Sequence, residues 1–238
     1  MRPPQSVKLF LRETDFDKNP NLIKNLYVAR FLLITLLFCT LVWELSAFSN
    51  TSFQLKNTYY YFIDESNYAP QKQSQPVLSL DDETLAMVAE SFFKDLKMEG
   101  SGKILNGQML NYAGVKDGEV RFTFTKNPFG TGAGDCALIP YHSIAVDPKM
   151  INLGSKVFIK ETLNMLLPDG TIHDGIWMAE DTGSAIKENR VDLFVGDDRK
   201  GHFLDLAQIH HMQALSVEVL EAPKSESCVY KSIPKFNP

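Results

Sequence analysis

Outside its first thirty positions, this 238-residue chain is short of basic charge. Lys and Arg number 24 against 29 Asp and Glu, a net of −5. Arg2, Lys8, Arg12, Lys18, Lys24 and Arg30 stand against only Glu13, Asp15 and Asp17, so the first thirty residues carry +3 and the remainder −8. A body this acidic has no clustered cations to neutralise phosphates, which argues against nucleic acid as a partner. Cysteine is equally scarce, at three residues: Cys39, Cys136 and Cys228. There is no Cys-x-x-Cys and no His-x-x-x-His spacing, so neither a metal site nor a cofactor is expected. In an oxidising compartment Cys136 and Cys228 are free to pair or to remain thiols, and the sequence leaves both open. There is no internal repeat and no low-complexity tract, and 44% apolar residues suffice for a packed core.

Long apolar runs are also few, and the one present stands apart. Residues 26–48, LYVARFLLITLLFCTLVWELSAF, hold no charge from Phe31 to Trp43. About 20 apolar residues are needed to cross a bilayer. The run qualifies if Arg30 and Glu44 snorkel to the two interfaces. With cations before it and an acidic body after it, the expected layout is a cytoplasmic tail at 1–25, a transmembrane anchor at 26–48 and the body outside. A cleaved signal peptide ending near Ala47-Phe48-Ser49 is the rival reading, against which the long leader before the run counts.

Beyond the run, residues 49–80 are polar, aromatic and proline-interrupted, and read as a tether. Ser79-Leu80-Asp81-Asp82 resembles a capping box, with Leu85, Met87, Val88, Phe92, Phe93 and Leu96 at helical spacing behind it, so a helix is expected over 81–97. From there the pattern turns to short strands broken by Gly and Pro: Lys103–Leu105, Met109–Ala113, Val120–Thr125, Ser143–Val146, Lys156–Lys160, Ile176–Glu180 and Val191–Phe194. Asp198–Gln213 reads as helix and Ala214–Leu220 as a closing strand, before a loose tail at 223–238. Many short strands with one or two helices imply a mainly β fold, a small closed barrel over 98–222.

The chemistry-bearing stretch is MAEDTGSAIKENRVDLFVGDD, Met178 to Asp198. Asp181-Thr182-Gly183-Ser184-Ala185 spells an aspartic-protease fingerprint, and Val195-Gly196 resembles the apolar-apolar-Gly element of such enzymes. Spacing counts against that reading, which stays open only as a second alternative, because Gly196 follows Asp181 by fifteen residues with no room for a flap. There is also a single Asp-Thr-Gly where two must share a proton, and Glu180 puts a charge before the loop.

Ala145-Val146-Asp147-Pro148, Leu153-Gly154, Ala179-Glu180-Asp181-Thr182-Gly183, Ala185-Ile186-Lys187 and Val191-Asp192 stand in order. Together with Gly-Ser-Gly at 100–102, they resemble the 3D domain, named for three aspartates, which forms the catalytic barrel of the membrane-bound lytic murein transglycosylase A family. The resemblance spans about 98–220. It implies a six-stranded double-psi β-barrel and cleavage of peptidoglycan glycan strands to a 1,6-anhydro-muramyl product. It also implies a place at the bacterial cytoplasmic membrane, with the barrel on the periplasmic or extracytoplasmic side. Two positions depart from the family pattern: Ser184 stands where a second Gly is usual, and Glu188 where a Gly follows the Lys. The stretch from Ala113 to Ser143 is too short for the family's large second domain.

Breaking a glycosidic bond needs an acid of raised pKa, and carboxylates meeting in a partly apolar barrel mouth raise one another's. The resemblance assigns Asp192 as acid and base, with Asp181 and Asp147 tuning and positioning. Asp192 lies between Val191 and Leu193 in a strand, where an inward carboxylate is costly without a purpose. Asp147 before Pro148 also suits a turn cap, and Asp181 before Thr182-Gly183 also suits a loop clamp. Thr182, Gly183, Ser184, Lys187 and His173 are the candidate sugar contacts, although His173 also fits a turn. A barrel that binds glycan without cutting it is the alternative of a different class.

Overall fold

The computed structural model describes residues 51–231. The expected tail at 1–25 and anchor at 26–48 lie outside the described residues, and no helix among the described residues is long and apolar enough to cross a membrane.

Six strands close the expected barrel: β1 (Ser52–Tyr60), β8 (Ser143–Val146), β9 (Lys156–Ile159), β10 (Ile176–Asp181), β11 (Arg190–Phe194) and β12 (Ala214–Glu221). The order around the barrel is β1-β11-β8-β10-β9-β12. Two of the pairings, β1 with β11 and β10 with β8, are parallel, and the other four are antiparallel. Alternation fills the interior: Leu55, Ile144, Val146, Val157, Ile159, Trp177, Ala179, Val191, Leu193, Leu215 and Val217 form one buried cluster. Trp177 is wholly buried there and its indole N–H donates to Thr162 Oγ1 at 2.9 Å, as an aromatic with a polar handle requires.

The first barrel strand comes from the segment expected to be a tether. SFQLKNTYY is rich in aromatics and alternates, so it pairs on both edges, with Lys56 opposite Arg190 on one side and Ala214 on the other. The tether reading of 49–80 therefore fails from residue 52 onward. The barrel is also not a continuous 98–222 unit.

A second lobe is inserted between β1 and β8. It holds β2 (Ile63–Asp64), β3 (Gln73–Leu78), β4 (Thr84–Ala89), α1 (Glu90–Glu99), β5 (Ser101–Lys103), β6 (Met109–Lys116) and β7 (Glu119–Thr125). β2-β5-β6-β7 form one sheet and β3-β4 a hairpin. Its own core joins Ile63, Val77, Val88, Phe92, Leu96, Leu110 and Phe122. Gly102 packs so tightly under α1 that a Cβ would lie 2.8 Å from Ile63 and 2.9 Å from Leu96. The strands expected at 103–125 thus exist, but in this sheet and not in the barrel.

The helix expected over 81–97 begins only at Glu90. Thr84–Ala89 pairs antiparallel with β3 instead. The capping-box signal is a turn: Ser79 Oγ accepts the amides of Asp81 and Glu83, each at 3.2 Å. The long helix expected at 198–213 shrinks to α2 (His202–Leu206), since Gln208 and Met212 have φ of 60° and 62° and break the helical path. The tail is tied down as far as residue 231: Cys136 and Cys228 form a disulfide.

Candidate active site

On β11, Val191 and Leu193 point into the barrel core, so Asp192 points out of it. The same alternation on β8 turns Ile144 and Val146 inward and Ala145 outward. Ala145 pairs with Asp192 on one side and with Asp181 on the other. The two aspartates therefore flank one small residue on one rung of the outer wall, and Thr58 of β1 extends the rung past Asp192. A β-bulge between Ala179 and Asp181 makes this possible. A bulge sets two residues against one and re-aims a side chain. Here it brings Asp181 outward beside Glu180. The expected setting, a barrel mouth, is corrected: the carboxylates stand on the outside of the barrel wall.

The wall is covered there by a third apolar cluster, Phe62, Met109, Leu138 and Phe194, with Tyr60 and Phe129 against it. Thr58 Oγ1 donates to Asp192 Oδ1 at 2.5 Å. Tyr60 O–H donates to Asp181 Oδ2 at 2.9 Å, and the Thr182 amide donates to Oδ1 at 2.8 Å. Burial pushes Asp192 up to about 6, against the Thr58 hydrogen bond and the charges of Arg190 and His211. Burial also lifts Asp181 to about 6, against the Thr182 and Tyr60 hydrogen bonds and with help from the charge of Asp192. Burial, rather than the neighbouring carboxylate, is the main cause at both.

Glu99, the last residue of α1, joins them. Burial raises it to about 7, against the Tyr61 amide and reinforced by the charges of Asp192 and Asp95. The Tyr61 amide donates to Glu99 Oε2 at 3.4 Å. Next to it, Arg199 pairs with Asp95 at 3.3 Å and lies over the rings of Tyr61 and Tyr68 at 5.6 and 5.1 Å. The end of β1 and the residue after it thus carry Thr58 on Asp192, Tyr60 on Asp181 and Tyr61 on Glu99, between barrel and inserted lobe.

Asp147 does not belong to this group. Its oxygens accept the amides of Lys149 at 3.0 Å and Glu188 at 2.8 Å. These two amides, then the charges of Lys187 and Lys149, hold its carboxyl below the usual range. It is an ionised clamp for two loops. Glu188 takes φ of 53° to donate that bond, a conformation natural to the glycine of the family pattern.

Thr182, Ser184 and Lys187 are exposed on the loop after Asp181, where a ligand can reach them. Gly183 serves packing: a Cβ there would lie 2.7 Å from buried Ile186. His173 is corrected outright as a surface contact. It is 2% exposed and stacked between His142 and Trp177 at 5.4 and 4.9 Å. The Gly175 amide donates to its Nδ1 at 2.7 Å, so Nε2 carries the hydrogen toward Tyr141 O at 2.6 Å. Burial lowers its pKa, and it stays neutral in the core. Val195-Gly196 is the turn after β11, with Gly196 against Pro140, and takes no part in a protease flap.

Thr58, Tyr60 and Glu99 escaped the sequence reading. The signal for the first two was the alternation of Gln54, Lys56, Thr58 and Tyr60 against Phe53, Leu55 and Tyr59. A depression of about 500 Å³ bordered by Gln71, Gln75, Ser91 and Lys94 shares no residue with the site. Among the described residues, Cys136, Cys228 and Glu180 bring ligand-type atoms close together, but the two sulfurs are bonded to each other.

No curated protein matches the chain. Among solved structures, the Escherichia coli lytic transglycosylase MltA with bound chitohexaose is 15% identical, with 71% of this chain and 72% of that one covered and a TM-score of 0.49. A membrane-bound lytic murein transglycosylase from Agrobacterium tumefaciens is 13% identical, with 71% and 73% covered and a TM-score of 0.45. MltA from Neisseria gonorrhoeae is 22% identical, with 61% and 47% covered and a TM-score of 0.41. The family model of the 3D domain matches residues 142–202, which run from the residue before β8 to the first residue of α2 and include Asp147, Asp181 and Asp192. Over those residues the chain is similar to the 3D domain.

Proposed function

We propose that this protein is a lytic transglycosylase that cleaves the MurNAc–GlcNAc bond of peptidoglycan, with Asp192 as general acid and base. The observation that carries the reading is the rung Asp181–Ala145–Asp192, which sets two half-buried carboxyls with pKa near 6 on one wall. A carboxyl with a pKa near 6 keeps a share of its protonated form close to neutral pH, as a general acid needs. Asp192 gives its proton to the glycosidic oxygen, and the bond from that oxygen to the muramyl anomeric carbon breaks. The Asp181 carboxylate steadies the positive charge that develops on the sugar. Asp192, now ionised, takes the proton of the sugar's own 6-hydroxyl, whose oxygen closes onto the anomeric carbon. Water is not consumed, and Asp192 ends protonated as it began.

Thr182, Ser184 and Lys187 are assigned to glycan contact from the exposed loop. Two parallel pairings among antiparallel neighbours support the finer description of the barrel as double-psi. The disulfide supports export to an oxidising compartment, in line with anchorage at 26–48 in the cytoplasmic membrane and a periplasmic barrel.

The test is mass spectrometry of purified peptidoglycan incubated with the full chain and with an Asp192→Ala control. Muropeptides one water lighter than hydrolysis products, absent in the control, are the expected result. Ordinary reducing ends mean a hydrolase. Binding without any release means a glycan-holding module, and either outcome overturns the proposal.

A further inference from the structure

The bulge that turns Asp181 outward is held from behind by segments far from it in sequence. Both carbonyls preceding Asp181 accept loop amides: Gly154 donates to Ala179 O at 2.7 Å and Ala133 to Glu180 O at 2.7 Å. The Ala133 loop approaches so closely that a Cβ on Gly132 would lie 2.3 Å from Glu180 O. That loop is closed by Gly132 N–H donating to Cys136 O at 2.9 Å and is bonded to the C-terminal segment by Asp135 N–H donating to Cys228 O at 3.2 Å. The Cys136–Cys228 disulfide joins the same two segments covalently across 92 residues. The Glu180 carboxylate closes the arrangement: Ser143 O–H donates to Oε2 at 2.9 Å, while Oε1 rests 3.6 Å from Cys228 Sγ. A disulfide sulfur carries no hydrogen, so this last approach is a packing contact. Gly154, the other amide donor, is covered by Ser227, Pro223 and Val229 of the C-terminal segment.

We propose that the Cys136–Cys228 disulfide is a positioning device for the site, holding the C-terminal segment and the 132–136 loop against β10 and thereby fixing the Glu180 bulge that aims Asp181 at Asp192. The disulfide acts through Glu180 and touches no reacting atom. The inference rests on Asp181 being a member of the site, and its test does not need the glycan reaction.

The experiment compares the full chain oxidised and after dithiothreitol. That dithiol gives two electrons and two protons to make two thiols, and is itself left as a cyclic disulfide. Two readings are taken by NMR: exchange of the Ala133 amide, and titration of the Asp181 carboxyl against Asp192. The groups facing Asp181 are Tyr60, the Thr182 amide and Asp192, so a bulge that relaxes admits water to the carboxyl. The expected result is Ala133 exchange faster by about tenfold or more. Asp181 then titrates lower, nearer the ordinary range, and the barrel-core amides of Val157 and Trp177 stay protected. Gly132→Ala with the disulfide intact, which pushes directly on Glu180 O, is expected to give the same two changes, and it decides the matter if the reduced chain unfolds. Unchanged Ala133 exchange and an unchanged Asp181 titration in a folded, reduced chain overturn the proposal and leave the disulfide a general staple. If the oxidised chain releases no anhydro-muropeptides, the functional reading falls, and these NMR readings still decide the clamp.

Discussion

Asp147 and the Asp181–Asp192 pair lie in the one stretch that matches the 3D-domain model and have opposite electrostatics. Asp147 sits at a loop junction and spends its lone pairs on two backbone amides, so its charge is stabilised. Asp181 and Asp192 sit on a strand wall under aromatic cover, where burial outweighs their hydrogen bonds and raises both pKa values. Three aspartates in a motif are therefore not three equivalent acids. Partners and cover decide which one holds structure and which one handles a proton.

The sharpest break of this contrast is Asp192→Asn. It is expected to lower glycan cleavage by at least about 10²–10⁴-fold, the usual worth of a general acid, with an unchanged circular dichroism spectrum. Asp147→Asn should do the reverse in kind: the unfolding midpoint drops, while the Asp181 and Asp192 titrations remain where they are in the unsubstituted chain. A lost fold in the first variant, or an unmoved midpoint in the second, collapses the distinction.

The pH dependence of stability separates the two classes by sign. Asp181 and Asp192 are raised from an unfolded value near 3.9 to about 6 in the fold. The folded chain thus binds more protons than the unfolded one between those values. Their contribution is fully present below about pH 4 and is lost as pH rises through about 6, by up to roughly 2–3 kcal/mol for each group. Asp147 is lowered, so its contribution is present above its unfolded pKa and disappears only as pH falls through the folded one. Urea unfolding from pH 3 to pH 7 reads both. Asp192→Asn should flatten the slope between about pH 4 and 6 and leave the acid limb in place.

Two smaller tests refine the comparison. Tyr60→Phe removes a hydrogen bond that favours the charged form of Asp181, so that carboxyl should titrate higher, by under about one unit; a downward move contradicts the assignment. Glu188→Gly relieves the positive φ beneath Asp147 and is expected to stabilise by about 0.5–1 kcal/mol, measured by the same urea midpoints. A loss would mean that the Glu188 side chain contributes more than its strained backbone costs.

Much of the barrel was legible because its strands between 143 and 221 are short, alternate cleanly and are punctuated by Gly and Pro. β1 was not, since a polar, proline-bearing stretch follows it and its barrel partners lie more than 130 residues away, as Thr58 and Asp192 do. Met87 and Val88 fit helical spacing as well as strand alternation, and the choice went to pairing with β3, which local pattern does not reveal. Asp192 was legible as a carboxylate in a strand flanked by core residues. Its outward direction was not, because alternation states that neighbours face opposite sides without saying which side holds the core. His173 misled because a polar residue between turn signals reads as exposed, whereas the ring-stacking that buries it is tertiary.

The placement of β1 between β11 and β12 also bears on how the molecule is made. The strand that closes the wall is the first of the six to leave the ribosome and must wait for partners encoded at 190–194 and 214–218. Until then it is an unpaired strand with two open edges, the kind of segment on which aggregation starts. The inserted lobe needs none of those late partners for its own core. It is therefore suited to fold early and to shelter the chain just downstream of that waiting strand, so that the last step of folding is closure of the barrel upon a lobe already formed.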